Sequence, residues 1–227
     1  VGVPLVLWTV TGLVMASRPI EQVRGQHLRA TPAIIESSGV IFPRVAGPIE
    51  KVVLVRQPRQ PTWVITAAEI PRRYSPMTGA PLGPVDQTEA REIAAATYTG
   101  AARLAELRRF AATAAPLDLR QSRPSWQVRY DDGTHLYIDA ATGEVLALRT
   151  RWWRVFDFMW GLHIMDLQTR EDTSHPLLIL FAVLAVAGSA LGCVLLFRRR
   201  SNARDRGRSR RDSTPAAIPR HQEKRPL

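Results

Sequence analysis

The chain has 227 residues, of which 45% are hydrophobic, and this is enough for one folded domain with additional segments at its ends. Its single cysteine, Cys193, excludes an intramolecular disulfide. The formal net charge is +11, and residues 198–227 supply +8 of it, with eleven Lys or Arg against three Asp or Glu. This basic segment has no aromatic residue on which bases could stack, so we expect no nucleic-acid partner.

The first sixteen residues form an uncharged apolar run, VGVPLVLWTVTGLVMA. A transmembrane helix needs about 17 to 25 such residues, and this run starts at the first position of the sequence. We therefore predict a first transmembrane helix over residues 1–16 that is truncated at its N-terminus. A cleaved signal peptide is the alternative, although no basic flank precedes the run and no clear small-x-small site follows Ala16.

The central segment, residues 17–150, is predicted to be an α+β domain. Strand-like stretches rich in β-branched and aromatic residues are bounded by turn formers. They lie at residues 51–56, 62–67, 126–130, 134–139 and 144–149. Asp131-Asp132-Gly133 and Thr142-Gly143 predict tight turns between the last three strands. Apolar residues at three- and four-residue steps predict a helix over residues 86–110.

One spacing recurs within this segment. Trp63 is followed eleven residues later by Tyr74, and Trp126 is followed eleven residues later by Tyr137. A Thr-Gly pair and a leucine come after each tyrosine. This agreement favours a duplicated strand-hairpin-strand unit over coincidence.

Residues 151–175 are predicted to form an interfacial amphipathic helix. Tryptophan rings favour the headgroup level of a bilayer, where an apolar ring and a polar N–H are both accommodated. We therefore expect Trp152, Trp153 and Trp160 to lie at the membrane interface. His135, in a predicted hairpin strand, is expected to face water.

Residues 176–197 are predicted to be a second transmembrane helix, because 21 residues from Leu177 to Phe197 carry no charge. The arginines that follow favour a cytoplasmic location for the C-terminus, and residues 198–227 are interpreted as a basic disordered tail. Two spans then place residues 17–175 outside the cytoplasm. Gly188 and Gly192 form a G-x-x-x-G pattern that would allow a homo-oligomer or close packing of the two spans.

Two stretches of the predicted hairpin carry a family resemblance. Trp126-Gln-Val-Arg-Tyr130 followed by Tyr137-Ile-Asp-Ala-Ala-Thr-Gly-Glu-Val-Leu146 resembles the closing hairpin of PepSY domains. The wider layout is similar to PepSY-associated membrane proteins, as are Trp8-Thr-Val-Thr-Gly12 and Leu162-His163. The resemblance implies an antiparallel sheet with a helix packed across it, flanked by two transmembrane helices.

The resemblance also implies a cofactor. Some membrane relatives resemble ferric-siderophore reductases, which carry b-type haem on helix histidines and serve iron uptake. It implies His163 as a haem ligand here, with Asp166 placed to orient its ring. His175, at the head of the second predicted span, is the candidate for the second ligand, and a histidine preceding Val1 is the alternative.

No nucleophile with a base, no metal-binding histidine pair and no phosphate-binding glycine loop is found in the sequence, so neither catalytic residues nor metal ligands are predicted. We expect a multi-pass protein of a bacterial inner membrane with a periplasmic central domain and a cytoplasmic C-terminus. Its expected role is a non-catalytic binding or regulatory module in contact with membrane lipid and with an envelope protein or small ligand. The alternatives are a haem-binding electron-transfer subunit and a sensor that signals through the second helix.

Overall fold

We describe the fold from a computed structural model, which covers residues 2–31, 34–36 and 38–212, with side chains as far as Arg199. The described helices are α1 (Gly2–Ala16), α2 (Ile20–Val23), α3 (Gln87–Thr97), α4 (Arg151–His163) and α5 (Pro176–Asp212). The described strands are β1 (Lys51–Val55), β2 (Thr62–Ala67), β3 (Ile70–Tyr74), β4 (Pro81–Leu82), β5 (Leu104–Phe110), β6 (Ser125–Tyr130), β7 (His135–Asp139) and β8 (Val145–Arg149). Short 3-10 turns lie at Gln26–Leu28, Ala112–Ala114 and Leu117–Leu119.

The chain forms two compact units. One comprises Leu7–Thr173 and contains every described strand, and the other comprises Val1–Val6 with the chain from Ser174 onward. Two antiparallel sheets and several helices make the larger unit an α+β structure, which confirms the predicted class. The five predicted strands are present, and each of their ends lies within one residue of its predicted position.

The first sheet is a meander in the order β1-β2-β3-β4. Ala68 and Glu69 connect β2 to β3 with φ values of +50° and +62°, the backbone of a tight two-residue hairpin turn. This turn places Trp63 directly opposite Tyr74. The Trp63 indole N–H donates to the Ile41 carbonyl oxygen over 2.9 Å, so an extended segment of the chain covers this face of the sheet.

The second sheet is also a meander, in the order β5-β6-β7-β8, and α3 packs across one of its faces. Asp86 begins α3 by accepting a hydrogen bond from the Glu89 N–H at 2.7 Å. The core between helix and sheet is built from buried apolar side chains. They are Val85, Ala90, Ile93, Ala94, Tyr98, Val128, Tyr130, Leu136, Ile138 and Leu148.

Both predicted turns of this sheet are present, with Gly133 at φ +80° and Gly143 at φ +74°. The equal spacing seen in the sequence does not give equal registers, because Trp126 lies opposite Ile138 rather than Tyr137. The Tyr130 N–H donates to the Thr134 carbonyl, so residues 131–133 form the turn, one residue more than the β2–β3 turn contains. This extra residue accounts for the shift.

The helix predicted over residues 86–110 is wrong in its second half. It ends at Thr97, and Leu104–Phe110 is strand β5, paired with β6. The chain leaves the helix because Tyr98 is extended and forms an isolated bridge with Arg29, while the Thr99 N–H donates to the Leu28 carbonyl at 3.0 Å. Backbone pairing with a distant segment therefore overrides the local helical spacing.

A buried arginine joins the first sheet to the second. Arg73 on β3 is 4% exposed and donates to the Glu89 carboxylate on α3 and, over 2.9 Å, to Gln57 Oε1. The Gln57 amide N–H in turn donates to the Thr142 carbonyl at 2.7 Å. These bonds tie the first meander to both the helix and the last turn of the second sheet.

Among the described residues one helix is long and apolar enough to cross a membrane, over Pro176–Arg199 within α5, judged by length and composition. Helix α1 is apolar but has 15 residues, so the prediction of two membrane-spanning helices is not confirmed. The disordered tail predicted from Arg198 is wrong as far as Asp212, because α5 continues to that residue. Arginine is a good helix former, and an established helix is readily extended. Residues 213–227 of the predicted tail lie outside the described residues.

Candidate functional site

His163 is the last residue of α4 and lies against α1. Its Nδ1 is 2.8 Å from the hydroxyl of Thr11, which is 1% exposed. The Trp8 indole N–H donates to the His163 carbonyl oxygen, also over 2.8 Å. Residues 8–12 and Leu162-His163, which carried part of the family resemblance, are therefore neighbours in space.

The surroundings of the His163 ring favour one tautomer. The Thr11 hydroxyl lies 2.8 Å from the Leu7 carbonyl, the usual acceptor for a helical threonine. When it donates there, its oxygen accepts from His163 Nδ1–H, which leaves Nε2 with a free lone pair. The Trp160 ring stacks with the imidazole at a centroid distance of 6.5 Å. These contacts fix the orientation of the ring.

His175 has a different environment, immediately before α5. Its Nδ1 accepts a hydrogen bond from the Leu177 backbone N–H at 3.3 Å, so the ring proton is on Nε2. A haem ligand must offer a lone pair to iron. His163 Nε2 could therefore bind a haem iron, whereas Nδ1 of His175 is occupied by the Leu177 N–H, and both residues as haem ligands stay a prediction. Among the described residues, no group of three or more His, Cys, Asp and Glu side chains is arranged to hold a metal ion.

Asp166 does not orient the His163 ring, and that expectation is wrong. Helix α4 ends at His163, and the chain reverses through Met165 at φ +60°. The Asp166 carboxylate instead accepts hydrogen bonds from the Thr169 hydroxyl and from four backbone N–H groups at 3.0–3.2 Å, those of Gln168, Thr169, Glu171 and Asp172. The hydrogen bond from the Thr169 hydroxyl, followed by those from the backbone, holds the pKa of Asp166 well below its usual value.

The three tryptophans predicted to lie at a membrane interface differ in exposure. Trp153 is 8% exposed, and the Arg149 guanidinium lies 4.2 Å from the centre of its ring, so little of the ring could reach lipid. Trp152 is partly exposed with Arg18 over its ring at 4.6 Å. Trp160 donates to the Arg170 carbonyl at 3.2 Å. Membrane contact by Trp152 and Trp160 remains a prediction.

A polar cluster lies on the face of the second sheet opposite α3, around Asp118. The carboxylate accepts from the Tyr137 hydroxyl and lies 3.0 Å from His135 Nδ1, while Gln127 donates to the same hydroxyl. Burial alone would raise the pKa of Asp118, but the hydrogen bonds from His135 and Tyr137 hold it below its usual value. The His135 side chain is 18% exposed, so the expectation that it faces water is wrong.

A second carboxylate, Asp157 on α4, is held by two arginines. Asp157 is 5% exposed and forms ion pairs with Arg120 and Arg170, whose side chains are 15% and 20% exposed. Both arginines have positive φ, +62° and +57°. This conformation costs about 1–2 kcal/mol for a residue with a side chain. The ion pairs offset that cost and fix both loops against α4.

These two clusters border a pocket of about 360 Å³ beside α4. Its lining residues are Leu117, Asp118, Trp153, Arg154, Asp157, Phe158 and Arg170. Arg154 Nη2 donates to the Gly133 carbonyl, whereas its Nη1 is buried and has no hydrogen-bond partner in the part of the chain that the structure describes. An unsatisfied buried donor typically costs about 1–3 kcal/mol, so a ligand oxygen that reached the Arg154 side chain from the pocket it lines would be stabilised there.

The comparison with protein families covers the second sheet. The profile of the PepSY family, described as "Peptidase propeptide and YPEB domain", matches residues 84–149. These residues form a PepSY domain. The domain begins just before α3 and ends with β8, and the β1–β4 meander and α4 lie outside the matched range. No curated protein and no solved structure matches the chain.

The sequence indicated His163 but not the pocket. Asp118 and Arg120 occur in a short polar turn, and Arg154 and Asp157 are ordinary charged positions of an amphipathic helix. Thirty or more residues separate each turn residue from its partner on the helix, and no local spacing links them. The run of tryptophan, arginine and aspartate in Trp152–Asp157 was the available signal, since buried charges next to aromatic rings need partners.

Proposed function

We propose that this chain is a membrane-anchored PepSY module that binds or regulates a component of the cell envelope without catalysing a reaction. One observation carries the proposal: the PepSY domain at residues 84–149 is followed on the same chain by an apolar helix of 24 residues, Pro176–Arg199. Such a helix supplies an anchor. The domain is then free to present its surface to a partner near the bilayer.

The proposed orientation has the PepSY domain in the periplasm of a bacterium and the end of α5 in the cytoplasm. Arginines 198–200 support it, since positive charges that flank a span are retained in the cytoplasm. Reporter insertions that retain the rest of the chain test it: phosphatase inserted after Gly133 should be active and after Arg204 inactive. Equal behaviour of the two fusions would refute the orientation.

The binding role is tested by photo-crosslinking the full-length protein in native membranes. A photoreactive residue at Arg108, exposed on edge strand β5, should capture a discrete envelope component, while one at Leu196 in the apolar part of α5 should capture lipid or neighbouring spans. The absence of any adduct at Arg108 and at further exposed positions of the domain would contradict a binding module.

The alternative proposal is an electron-transfer subunit with b-type haem, and the Thr11–His163 contact favours it because it leaves Nε2 available. Haem would supply one-electron chemistry, and the chain would supply an oriented ligand between Trp8 and Trp160. Full-length protein from haem-supplemented cells should then show a Soret band that His163→Ala removes and His27→Ala, at an exposed position, retains. A wild-type spectrum without that band eliminates this alternative.

A further inference from the structure

The pocket beside α4 combines a guanidinium group with an unsatisfied N–H and apolar side chains at its rim. Arg154 is anchored by one guanidinium nitrogen on the Gly133 carbonyl, and its other terminal nitrogen has no partner in the described part of the chain. Phe158 and Leu117, which are 44% and 50% exposed, also line the pocket. A ligand that satisfies both features has a compact anionic group joined to an apolar body.

The charges around the pocket favour an anion. Four guanidinium groups, from Arg120, Arg149, Arg154 and Arg170, lie around the partly buried carboxylate of Asp118 and the buried carboxylate of Asp157. Both carboxylates already have partners. Asp118 is hydrogen-bonded to Tyr137 and His135, and Asp157 forms ion pairs with two of the arginines. Glu171 lies 3.5 Å from Arg120, but its side chain is 64% exposed and screened by water. The charge left to act on a ligand is positive.

We propose that this pocket binds the phosphate of an anionic phospholipid, with Arg154 on the headgroup and the acyl region against Phe158 and Leu117. A guanidinium presents a planar fork of N–H donors that matches phosphate oxygens. The choice of a lipid over a soluble phosphate rests on the proposed membrane attachment: twelve residues separate the end of α4 from the apolar helix. The exposed apolar side chains of Phe158 and Leu117 at the rim support the same choice.

The test uses full-length protein in a neutral detergent, with lipid adducts counted by native mass spectrometry. Dioleoylphosphatidylglycerol should bind, and dioleoylphosphatidylcholine should bind more weakly because its choline is repelled by the arginines. Arg154→Gln should weaken phosphatidylglycerol binding by about tenfold or more, the usual effect of losing one charge-assisted hydrogen bond. Arg151→Gln is the matched control, since it removes an exposed arginine of the same helix that does not line the pocket.

A second variant distinguishes loss of binding from loss of fold. Phe158→Ala changes an exposed side chain, so the protein should keep its thermal midpoint, lose affinity for phosphatidylglycerol and keep its weaker affinity for inorganic phosphate. Val155→Ala, on the same exposed side of α4 but outside the pocket lining, is its control.

Three outcomes would overturn the proposal. They are equal effects of Arg154→Gln and Arg151→Gln, inorganic phosphate binding as tightly as the lipid with Phe158→Ala neutral, and binding of a peptide with a C-terminal phenylalanine carboxylate when neither phospholipid binds. Membrane attachment is scored separately. Release of the protein from native membranes by alkaline carbonate would refute the anchor and leave the detergent titration valid as a measure of the pocket.

Discussion

At position 143 the backbone has a φ of +74°, and a Cβ atom would lie 2.4 Å from Gln57 Nε2. Gly133 has a similar φ of +80°, but there the nearest atom, at 3.2 Å, is the end of the Arg154 side chain. We expect Gly133→Ala to lower the free energy of unfolding by about 1–2 kcal/mol, the cost of a left-handed backbone. Gly143→Ala should cost about 1 kcal/mol more, because the alanine also displaces the buried hydrogen bond from Gln57 to Thr142.

Urea unfolding of the full-length protein in detergent, followed by tryptophan fluorescence, measures both variants. Gly133→Ala serves as the control for backbone strain, and the difference between the two midpoints reports the contact between the sheets. Identical midpoints would show that Gln57 moves aside without loss.

Tyr98 makes the stability of the domain sensitive to alkali. Its ring stacks on Tyr130 at 3.9 Å and its hydroxyl donates to Asp132, and burial followed by this carboxylate raises the pKa of Tyr98 from an ordinary 10.0 to about 12. A raised pKa means that the folded state holds the proton more tightly than the unfolded chain does. The stabilisation is therefore complete below pH 10 and is lost as the pH rises towards 12.

We expect the urea midpoint to fall between pH 10 and pH 12, and to fall less steeply in Tyr98→Phe, which has no phenolic proton at this position. Burial also raises the pKa of Tyr130 and of Tyr137, so part of the alkaline slope should persist in the variant. Parallel slopes for wild type and Tyr98→Phe would contradict the assignment.

Between elements, two ion pairs connect α3 to the preceding part of the chain, and they differ in burial. Arg73 and Glu89 have side chains that are 4% and 13% exposed, whereas Arg59 and Glu92, 2.6 Å apart, are 50% and 38% exposed. Breaking a buried pair leaves an uncompensated charge and costs about 3–5 kcal/mol, while an exposed pair contributes little because water screens its charges. The same helix therefore offers an internal comparison.

We expect Arg73→Met to destabilise the protein by several times more than Arg59→Met. Chemical denaturation measures both, and a double variant with Glu89→Gln isolates the pairwise contribution of the buried bridge. Restoration of stability by the double variant would show that an isolated Glu89 carboxylate causes the loss. Equal effects of the two single arginine variants would refute the tight coupling of the first meander to α3.

The turns of the second sheet can be predicted from local sequence, whereas strands β3 and β5 cannot. Turn chemistry was decisive at Gly133 and Gly143, because few residues tolerate positive φ, and the hairpins around them were predicted correctly. Strand β3 was missed since Ile-Pro-Arg-Arg-Tyr contains a proline and two charges, and its arginine is buried only because Glu89 arrives from α3. Strand β5 was assigned to a helix because its leucines are three residues apart. Partners distant in sequence decided both cases.

For the whole molecule, the direction of insertion depends on charges near the end of the apolar helix. Replacing arginines 198–200 by glutamate removes the positive flank that the cytoplasm retains. We expect a fraction of the molecules to insert with the PepSY domain on the cytoplasmic side, seen as lower activity of a phosphatase inserted after Gly133 with the rest of the chain retained. Arginines 103, 108 and 109 changed to glutamate provide the control, since charges far from the span have little influence on insertion. Unchanged activity in the flank variant would contradict the proposed determinant.

The turn that follows α4 should be stable at acidic pH. In the proposed periplasmic location, the domain would be exposed to the pH of the surrounding medium. The Asp166 carboxylate stays ionised far below the usual range of an aspartate, because the Thr169 hydroxyl and four backbone N–H groups hold it in that form. The turn around Asp166 should therefore keep its hydrogen bonds at an acidic pH at which most carboxylate-based contacts are lost.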